Sequence, residues 1–179
     1  MGIKMIIGIV SGVILLFLAF GFYNAAKLKT IEITRSVSIQ APQKRVYEMI
    51  SQLNNYPKWS PFLAEDPTQK YAVKGDDGTV GAQYHWEGNK GKDLGHQEIE
   101  RLEANSFVGI RVYIQKPFNA KPTFDYSIKG KGNSTEVIQK FVLQSGLADA
   151  FFLWLFGVKK EMENINEQGL ALLKKASES

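Results

Sequence analysis

The residue types that carry most enzyme chemistry are scarce in this sequence. The chain of 179 residues has two histidines and no cysteine, which excludes thiolate catalysis, disulfide bonds and cysteine-based metal sites. His85 and His96 each share a predicted strand face with polar residues such as Glu87 and Glu98. Two histidines on separate strands lack the spacing of metal ligands, so a solvated polar face is a better interpretation than an acid–base cluster or a metal site. No Ser-His-Asp order, phosphate loop or Gly-x-Gly-x-x-Gly motif stands out. The sequence predicts no catalytic residue, metal or cofactor.

Side chains with an apolar body and a polar tip are more informative. Several of them lie on predicted strand faces whose other residues are apolar. Small-molecule sites are typically lined by aromatic residues with a few polar groups. Such residues also fill ordinary cores and find local hydrogen bonds there, so both interpretations remain open for each residue. The predicted lining of a ligand cavity is Tyr84, Trp86, Tyr126, Gln139, Phe141, Phe151 and Leu155.

The elements that position these residues are predicted from the period of the apolar residues. Ile31 to Ile39 alternates like a half-buried strand, in which Arg35 is interpreted as a strand end or a bulge that reaches water. Ala41-Pro42 ends this strand and opens a helix. The composition of residues 75–78 predicts a hairpin turn. Further strands are predicted over residues 70–74, 80–87, 92–102, 108–114, 124–128 and 137–143. Short strands without intervening helices indicate an antiparallel meander.

The C-terminal region predicts one long helix with a single apolar stripe. Apolar or small residues recur there with spacings of four and three, the pattern of a helix packed on a sheet. They are Phe151, Leu155, Val158, Met162, Ile165, Gly169, Leu172 and Ala176. Both apolar faces must be buried against each other, so the sequence predicts an α+β fold in which a meander sheet curls around this helix.

The N-terminal residues predict a membrane anchor. Met5 to Tyr23 is an apolar run broken only by Ser11 and glycines. At about 1.5 Å per residue it can cross a hydrocarbon core of about 30 Å. A cleaved signal peptide is the alternative, but the run is longer than a usual signal-peptide core, and Asn24-Ala25-Ala26 is a poor cleavage site. We therefore divide the chain into an anchor with its juxtamembrane linker (1–30) and a folded domain (31–179).

Two further features of the anchor concern partners and orientation. Gly8 and Gly12 form a Gly-x-x-x-Gly motif, which allows close helix approach, so a weak homodimer is a hypothesis, although glycine is common in membrane helices. The lysines that follow the run favour a cytoplasmic domain by charge counting. A very short N-terminal segment, however, often stays inside while the remainder is exported. The side of the membrane is therefore left open.

Several short motifs also carry a family resemblance. They are Ile39-x-Ala41-Pro42 followed by Val46-Tyr47, Tyr56-x-x-Trp59-Ser60-Pro61, Gly78-x-Val80-Gly81-Ala82 and Trp86-Glu87-Gly88. Through their order and spacing, residues 31–176 resemble the START/Bet v1-like superfamily, specifically bacterial polyketide cyclase/dehydrase-type proteins of the SRPBCC group. The resemblance implies a helix-grip fold with a cavity between sheet and last helix, used in relatives for lipids and other apolar molecules. It implies no shared catalytic motif.

These observations lead to one preferred function and two alternatives. The preferred function is a membrane-tethered binding protein for a lipid or other hydrophobic small molecule. It would be a single-pass protein of a bacterial inner (plasma) membrane. The alternatives are an enzyme of polyketide cyclase/dehydrase type acting on an apolar substrate, and a protein-interaction module with a filled core. The net charge of +4 is mild and the lysines and arginines are scattered, which argues against a nucleic-acid partner.

One segment of the predicted C-terminal helix is too apolar for a single buried face. Six consecutive large apolar residues begin at Phe151, and they cannot all face the sheet. We therefore expect residues 150–160 to form a mobile gate over the cavity mouth that dips into the bilayer. Cover by the loops around Trp59 and Phe118 is the alternative. The predicted membrane-contact residues are Phe152, Trp154, Phe156, Lys159 and Lys160.

Overall fold

A computed structural model describes residues 2–179, which contain one seven-stranded sheet and five α-helices. The strands are β1 (Thr30–Ile39), β2 (Lys70–Lys74), β3 (Gln83–Gly88), β4 (Asp93–Glu103), β5 (Phe107–Lys116), β6 (Thr123–Lys131) and β7 (Ser134–Gln144). The helices are α1 (Ile3–Ala25), α2 (Gln43–Ser51), α3 (Pro61–Glu65), α4 (Leu147–Leu155) and α5 (Val158–Glu178). Short 3₁₀ helices occur at Ala26–Leu28, Leu53–Lys58 and Asn89–Gly91.

The sheet is antiparallel and has the strand order β1-β7-β6-β5-β4-β3-β2. Strands β2 to β7 form a meander, and the last of them, β7, pairs with the full length of β1. Strand β4 has two register irregularities, between Leu94 and Gly95 and between Ile99 and Arg101. Such irregularities bend a strand and increase its twist. The predicted α+β helix-grip architecture is confirmed.

Helix α5 packs across one face of the sheet and closes the main core. Leu170 and Leu173 of α5 are buried together with Val46 of α2 and with Val108 and Val137 of the sheet. Full burial of one such side chain contributes about 1.5–3 kcal/mol. The main core therefore lies against the C-terminal half of α5.

The C-terminal helical region is divided in two, which differs from the single helix predicted from its spacing. Helix α4 ends at Leu155 and α5 begins at Val158, and Gly157 between them has a φ of +64°. Glycine adopts this left-handed conformation without the steric cost of a Cβ atom. The chain changes direction there, so Phe151 and Leu155 do not share the stripe that begins at Val158.

Two details of the strands differ from the predictions. The predicted hairpin is present, since residues 75–82 join the antiparallel strands β2 and β3, but β3 begins at Gln83 and leaves Val80 exposed in the loop. Asp77 in this loop accepts a hydrogen bond of 2.6 Å from the backbone N–H of Leu53, so the loop is used to cap a 3₁₀ helix. Arg35 lies within β1 rather than at a strand end or bulge, and its Nε donates to Glu167 Oε1 on α5 at 2.8 Å. The Arg35 guanidinium is therefore paired with a carboxylate of α5, which is distant from β1 in the sequence.

Helix α1 is apolar from Met5 to Phe22 apart from Ser11 and glycines, and its C-terminal part packs against α4. Within Ile3–Leu28, the most apolar window of 18 residues has a mean hydropathy of 2.7, and the helix is long and apolar enough to cross a membrane. Near its C-terminal end, the Phe17 and Phe20 rings lie 5.9 Å from the Trp154 ring. Phe22 lies 4.8 Å from Phe151. The end of α1 is thus attached to the domain by aromatic contacts with α4.

Candidate functional site

A cavity of about 340 Å³ lies between the sheet and the first half of α5. Its apolar wall is formed by Val112, Ile114, Phe124, Phe141 and Leu143 of the sheet and by Val158, Met162 and Ile165 of α5. The loop between β5 and β6 adds Pro117, Phe118, Ala120 and Pro122. The volume is at the lower end of the range of small-molecule pockets, about 300–1,000 Å³. The site can hold a small apolar molecule.

Three of the residues predicted to line a cavity lie in this wall: Tyr84, Trp86 and Phe141. The Trp86 indole N–H donates to Asp93 Oδ1 at 2.9 Å, which fixes the ring. The ring lies over Gly95, its cross-strand partner, where a Cβ atom would be 2.5 Å from Trp86 Cζ2. Because residue 95 is glycine, there is room for the indole at this position in the cavity wall.

A smaller pocket of about 30 Å³, here called the polar pocket, adjoins the cavity, and several polar side chains interrupt its mostly apolar lining. It contains the other two predicted strand residues, Tyr126 and Gln139, together with Gln97 of β4 and Asn166 of α5. Tyr126 and Gln139 are cross-strand partners, and the Gln139 side-chain amide donates to the Tyr126 hydroxyl at 3.0 Å. The two pockets share wall residues, among them Gln97. Polar groups are therefore concentrated at one place in an otherwise apolar site.

The phenols around this site are held in the neutral form. Burial is the main cause in each case: it raises the pKa of Tyr56 to about 12, against a smaller lowering by its hydrogen bond to Ser60. Burial also raises the pKa of Tyr84 and of Tyr126 above the usual tyrosine range. A buried phenol that stays protonated can donate a hydrogen bond but supplies no negative charge.

The charged residues of the cavity wall are all acidic. They are Glu65 of α3, Asp93 of β4 and Glu161 of α5, and the residues that line the cavity include no lysine, arginine or histidine. Glu65 and Glu161 are exposed, as are Phe62 and Phe118 beside them in the lining. These residues mark the rim of the cavity, which consequently combines exposed aromatic rings with negative charge.

Phe151 and Leu155 lie outside this site, contrary to the sequence prediction. Neither residue lines the cavity or the polar pocket. Phe151 packs against the end of α1, where a Cβ atom on Gly21 would clash with its ring, and Leu155 is exposed. The physical reason is the turn at Gly157, which separates α4 from the stripe of α5. Of the segment 150–160, which was expected to form a mobile gate, only Val158 lines the cavity, and the gate stays a prediction.

The predicted membrane-contact residues fall into two groups. Phe152 and Phe156 are exposed and stack on each other with ring centroids 6.5 Å apart. Lys159 and Lys160 are exposed at the start of α5. Trp154 is half-buried, because it packs against α1. An apolar side of α4 is therefore left open next to the end of α1.

The two histidines lie on the outer face of the sheet. The rings of His85 and His96 stack with centroids 4.9 Å apart, and His96 stacks on Tyr113 at 4.6 Å. Both residues are half-buried, and neither lines the cavity. Burial is the main cause that lowers the pKa of each imidazole. They form a packed aromatic row behind the sheet.

Sequence reasoning missed two polar residues of the site, Gln97 and Asn166. Both are buried, with side chains in the polar pocket. The signal for Gln97 was available, because the alternation that turns His96 outward turns its neighbour inward. The signal for Asn166 was its place on α5, four residues after Met162 and thus on the same helix face. The loop that carries Phe118 had no comparable pattern.

A protein-family comparison connects this geometry to known proteins. The family model described as "polyketide cyclase / dehydrase and lipid transport" matches residues 30–178. That match includes all seven strands and helices α2 to α5. No curated protein matches the sequence.

Solved structures share the fold at low sequence identity. Ara h 8.0201 superposes with a TM-score of 0.61 at 9% identity, over 83% of this chain and 97% of its own. A protein from Chromobacterium violaceum gives a TM-score of 0.55 at 15% identity, over 84% of this chain and 98% of its own. DynU16, from the dynemicin biosynthetic locus, gives 0.56 at 13% identity and covers 81% of this chain. This chain spans 46% of the length of DynU16. At these identities the likeness establishes the fold alone.

Proposed function

This chain belongs to the polyketide cyclase, dehydrase and lipid transport family, and on that premise we propose that it is a membrane-tethered binding protein for a hydrophobic small molecule or lipid. The ligand occupies the cavity between the sheet and α5. One observation carries the proposal: the 340 Å³ cavity has a mostly apolar wall in a domain that is otherwise well packed. Apolar burial there contributes about 0.8 kcal/mol per methylene group.

The chemistry of the wall favours binding over catalysis. The wall offers no histidine, lysine or cysteine, and the tyrosines near it are kept neutral by burial. A carboxylate at the rim, such as Glu161, is exposed to solvent and away from the polar pocket. A cyclase or dehydrase role in the same cavity would be recognised because the bound molecule would be chemically changed.

The test is ligand recovery from the full-length protein with a filled and an unfilled cavity. Ala120→Trp places an indole at a residue that lines the cavity, whereas Ala171→Trp places one on an exposed position of α5. Mass spectrometry of molecules that co-purify with the wild type should detect a hydrophobic compound that Ala171→Trp retains and Ala120→Trp loses. Equal recovery from both variants, with both still folded, would contradict the proposal.

The proposed tether is α1. It is apolar from Met5 to Phe22 apart from Ser11 and glycines, and only 6% of its most apolar window is buried in the protein. A soluble protein would not normally leave such a surface in water, whereas in a bilayer it is satisfied by lipid. After an alkaline carbonate wash, full-length protein should stay with the membrane fraction. Recovery of a shortened protein in the soluble fraction would instead indicate a cleaved signal sequence.

Helix α4 is proposed to lie in the interface of the same bilayer. Its exposed side chains Phe152 and Phe156 adjoin the end of α1, and Lys159 and Lys160 follow where lipid phosphates would be. Trp154 reports on this position. Brominated lipid should quench part of the tryptophan fluorescence of the reconstituted protein, and Trp154→Phe should remove that part. The matched change Trp59→Phe alters a tryptophan buried in the core, so it should leave the quenched part intact. Equal quenching in both variants would contradict interfacial placement.

A further inference from the structure

The polar pocket contains side-chain atoms that have no hydrogen-bond partner within the protein. These are Gln97 Nε2, Gln139 Oε1 and Asn166 Nδ2, and the Tyr84 hydroxyl beside them is also unpaired. The four residues are between 1% and 6% exposed, so bulk water does not reach them. Nearly all buried polar groups in folded proteins are paired. Unpaired atoms gathered at one place therefore indicate a partner that the chain itself does not supply.

The arrangement of these atoms follows from the sheet register and from α5. Tyr84 and Gln97 are cross-strand partners on β3 and β4, and Tyr126 and Gln139 are cross-strand partners on β6 and β7. Asn166 comes from α5 and lines the same pocket. Turning the Gln139 amide would not remove the feature, because only one of its two polar atoms can pair with the Tyr126 hydroxyl. The pocket offers both donors and acceptors under either orientation.

The charges around the site restrict the head group that could meet these atoms. Among the described residues 2–179, no cation lines the polar pocket or the cavity, while the carboxylates of Glu65 and Glu161 lie at the rim and that of Asp93 lies in the wall. An anionic head would enter past negative charge and would be buried without a counter-ion, which is strongly unfavourable. A hydroxyl group can accept from the unpaired donors and donate to the unpaired acceptor, whereas a carbonyl group can accept from the donors only. Its tail would then lie against the apolar wall.

We propose that the ligand is an uncharged amphiphile, an apolar molecule with a hydroxyl or carbonyl group, bound with that group inward against Gln97, Gln139 and Asn166. This inference rests on the proposed function, since it names the ligand class of the same cavity. The polar pocket is then the subsite that binds the head group, whereas the larger cavity accommodates the apolar part. The site discriminates against carboxylates and phosphates of equal chain length.

The test uses the full-length chain in neutral phosphatidylcholine nanodiscs, with empty nanodiscs as the partition background. Four probes share a ten-carbon chain and differ in their head group: 1-decanol, 2-decanone, decanoate and decane. The variant Gln139→Met plus Asn166→Leu replaces two polar side chains of the pocket by apolar ones of similar size. Gln168→Met is the control, because Gln168 is an exposed glutamine of α5 that lines neither the cavity nor the polar pocket.

The expected result has two parts. Wild-type protein and Gln168→Met should bind 1-decanol and 2-decanone about tenfold more tightly than decanoate, a ratio that corresponds to roughly 1.4 kcal/mol. The double variant should lose most of that preference and bind decane at least as well as the wild type does.

Four outcomes would overturn the inference. Decanoate binding as tightly as the alcohol would refute the uncharged head group. An unchanged preference in the folded double variant would mean that the pocket holds water only. Binding of all four probes without discrimination would also refute the inference and leave the proposed function intact, whereas binding of none, including decane, would remove both.

Discussion

The packing of α1 against α4 can be tested by adding a single methyl group at Gly21. A Cβ atom at this position would lie 2.8 Å from Trp154 Cζ3 and closer still to the ring of Phe151. Both rings are held by further aromatic neighbours, Phe17 and Phe22 among them. Gly21→Ala therefore requires the two rings, and the helix that carries them, to move away from α1.

The magnitude follows from the cost of overpacking. Extra methyl or methylene groups in a well-packed contact cost about 1–3 kcal/mol. If that cost falls on the docking of α4, the equilibrium between docked and open α4 shifts by ~5- to 150-fold. The intrinsic gain in helix propensity of alanine over glycine acts within α1. The same substitution at a second glycine of α1 has the same gain in helix propensity and therefore serves as the control.

Hydrogen exchange of the full-length protein in nanodiscs measures the shift. Amide protection over 147–155 should fall by that factor in Gly21→Ala, while protection in β6 and β7 should stay unchanged. Gly12→Ala is the matched control, because nothing lies within 4 Å of a Cβ atom there. Equal protection of α4 in the two variants would refute the reasoning, since it would mean that α1 and α4 are not in tight contact.

Three further predictions concern the domain itself. Gly95→Ala should displace the Trp86 indole and lower the free energy of unfolding by about 1–3 kcal/mol, measured by denaturant titration; an unchanged midpoint would contradict this. Thr135→Val removes a buried hydroxyl that donates to a backbone carbonyl at 2.7 Å, so unfolding free energy should fall by about 1–3 kcal/mol, and a loss below experimental error would count against it. His85 and His96 have pKa values lowered by burial, so the unfolded chain binds protons more readily and stability should decrease as pH falls below about 6.5. NMR titration should find both midpoints below that of a model histidine, and a raised midpoint would refute the assignment.

Much of the fold could be predicted from the sequence because each strand has one buried face. The alternation around Val137, Phe141 and Leu143 is regular, and the structure buries all three. The same rule placed Tyr84 and Tyr126 inward, although it could not decide whether they met a ligand or a core. That decision depends on the space between the sheet and α5, which is a property of the assembled fold.

The errors arose where local spacing and tertiary contacts disagreed. The stripe from Phe151 through Val158 keeps its helical period across Gly157, so spacing alone gave no sign that the helix divides there. Arg35 interrupts an apolar face, and no pattern within β1 could show that Glu167 of α5 would pair with its guanidinium. The contacts of α4 with α1 and of Arg35 with Glu167 both join segments that are distant in sequence. A pattern read within a short window of the chain cannot reveal such contacts.

The packing of α4 against α1 has a consequence for motion. A flexible linker would allow the domain to tumble above the membrane and to present any face to it. Here the chain passes from α1 into β1 through the short 3₁₀ helix Ala26–Leu28, and α4 holds the end of α1 from the side. With α1 upright in a bilayer, the domain loses most of its rotational freedom. Its height above the bilayer and its tilt relative to α1 are then both set by aromatic packing, so every copy with the same orientation presents the cavity rim at the same angle to the lipid surface.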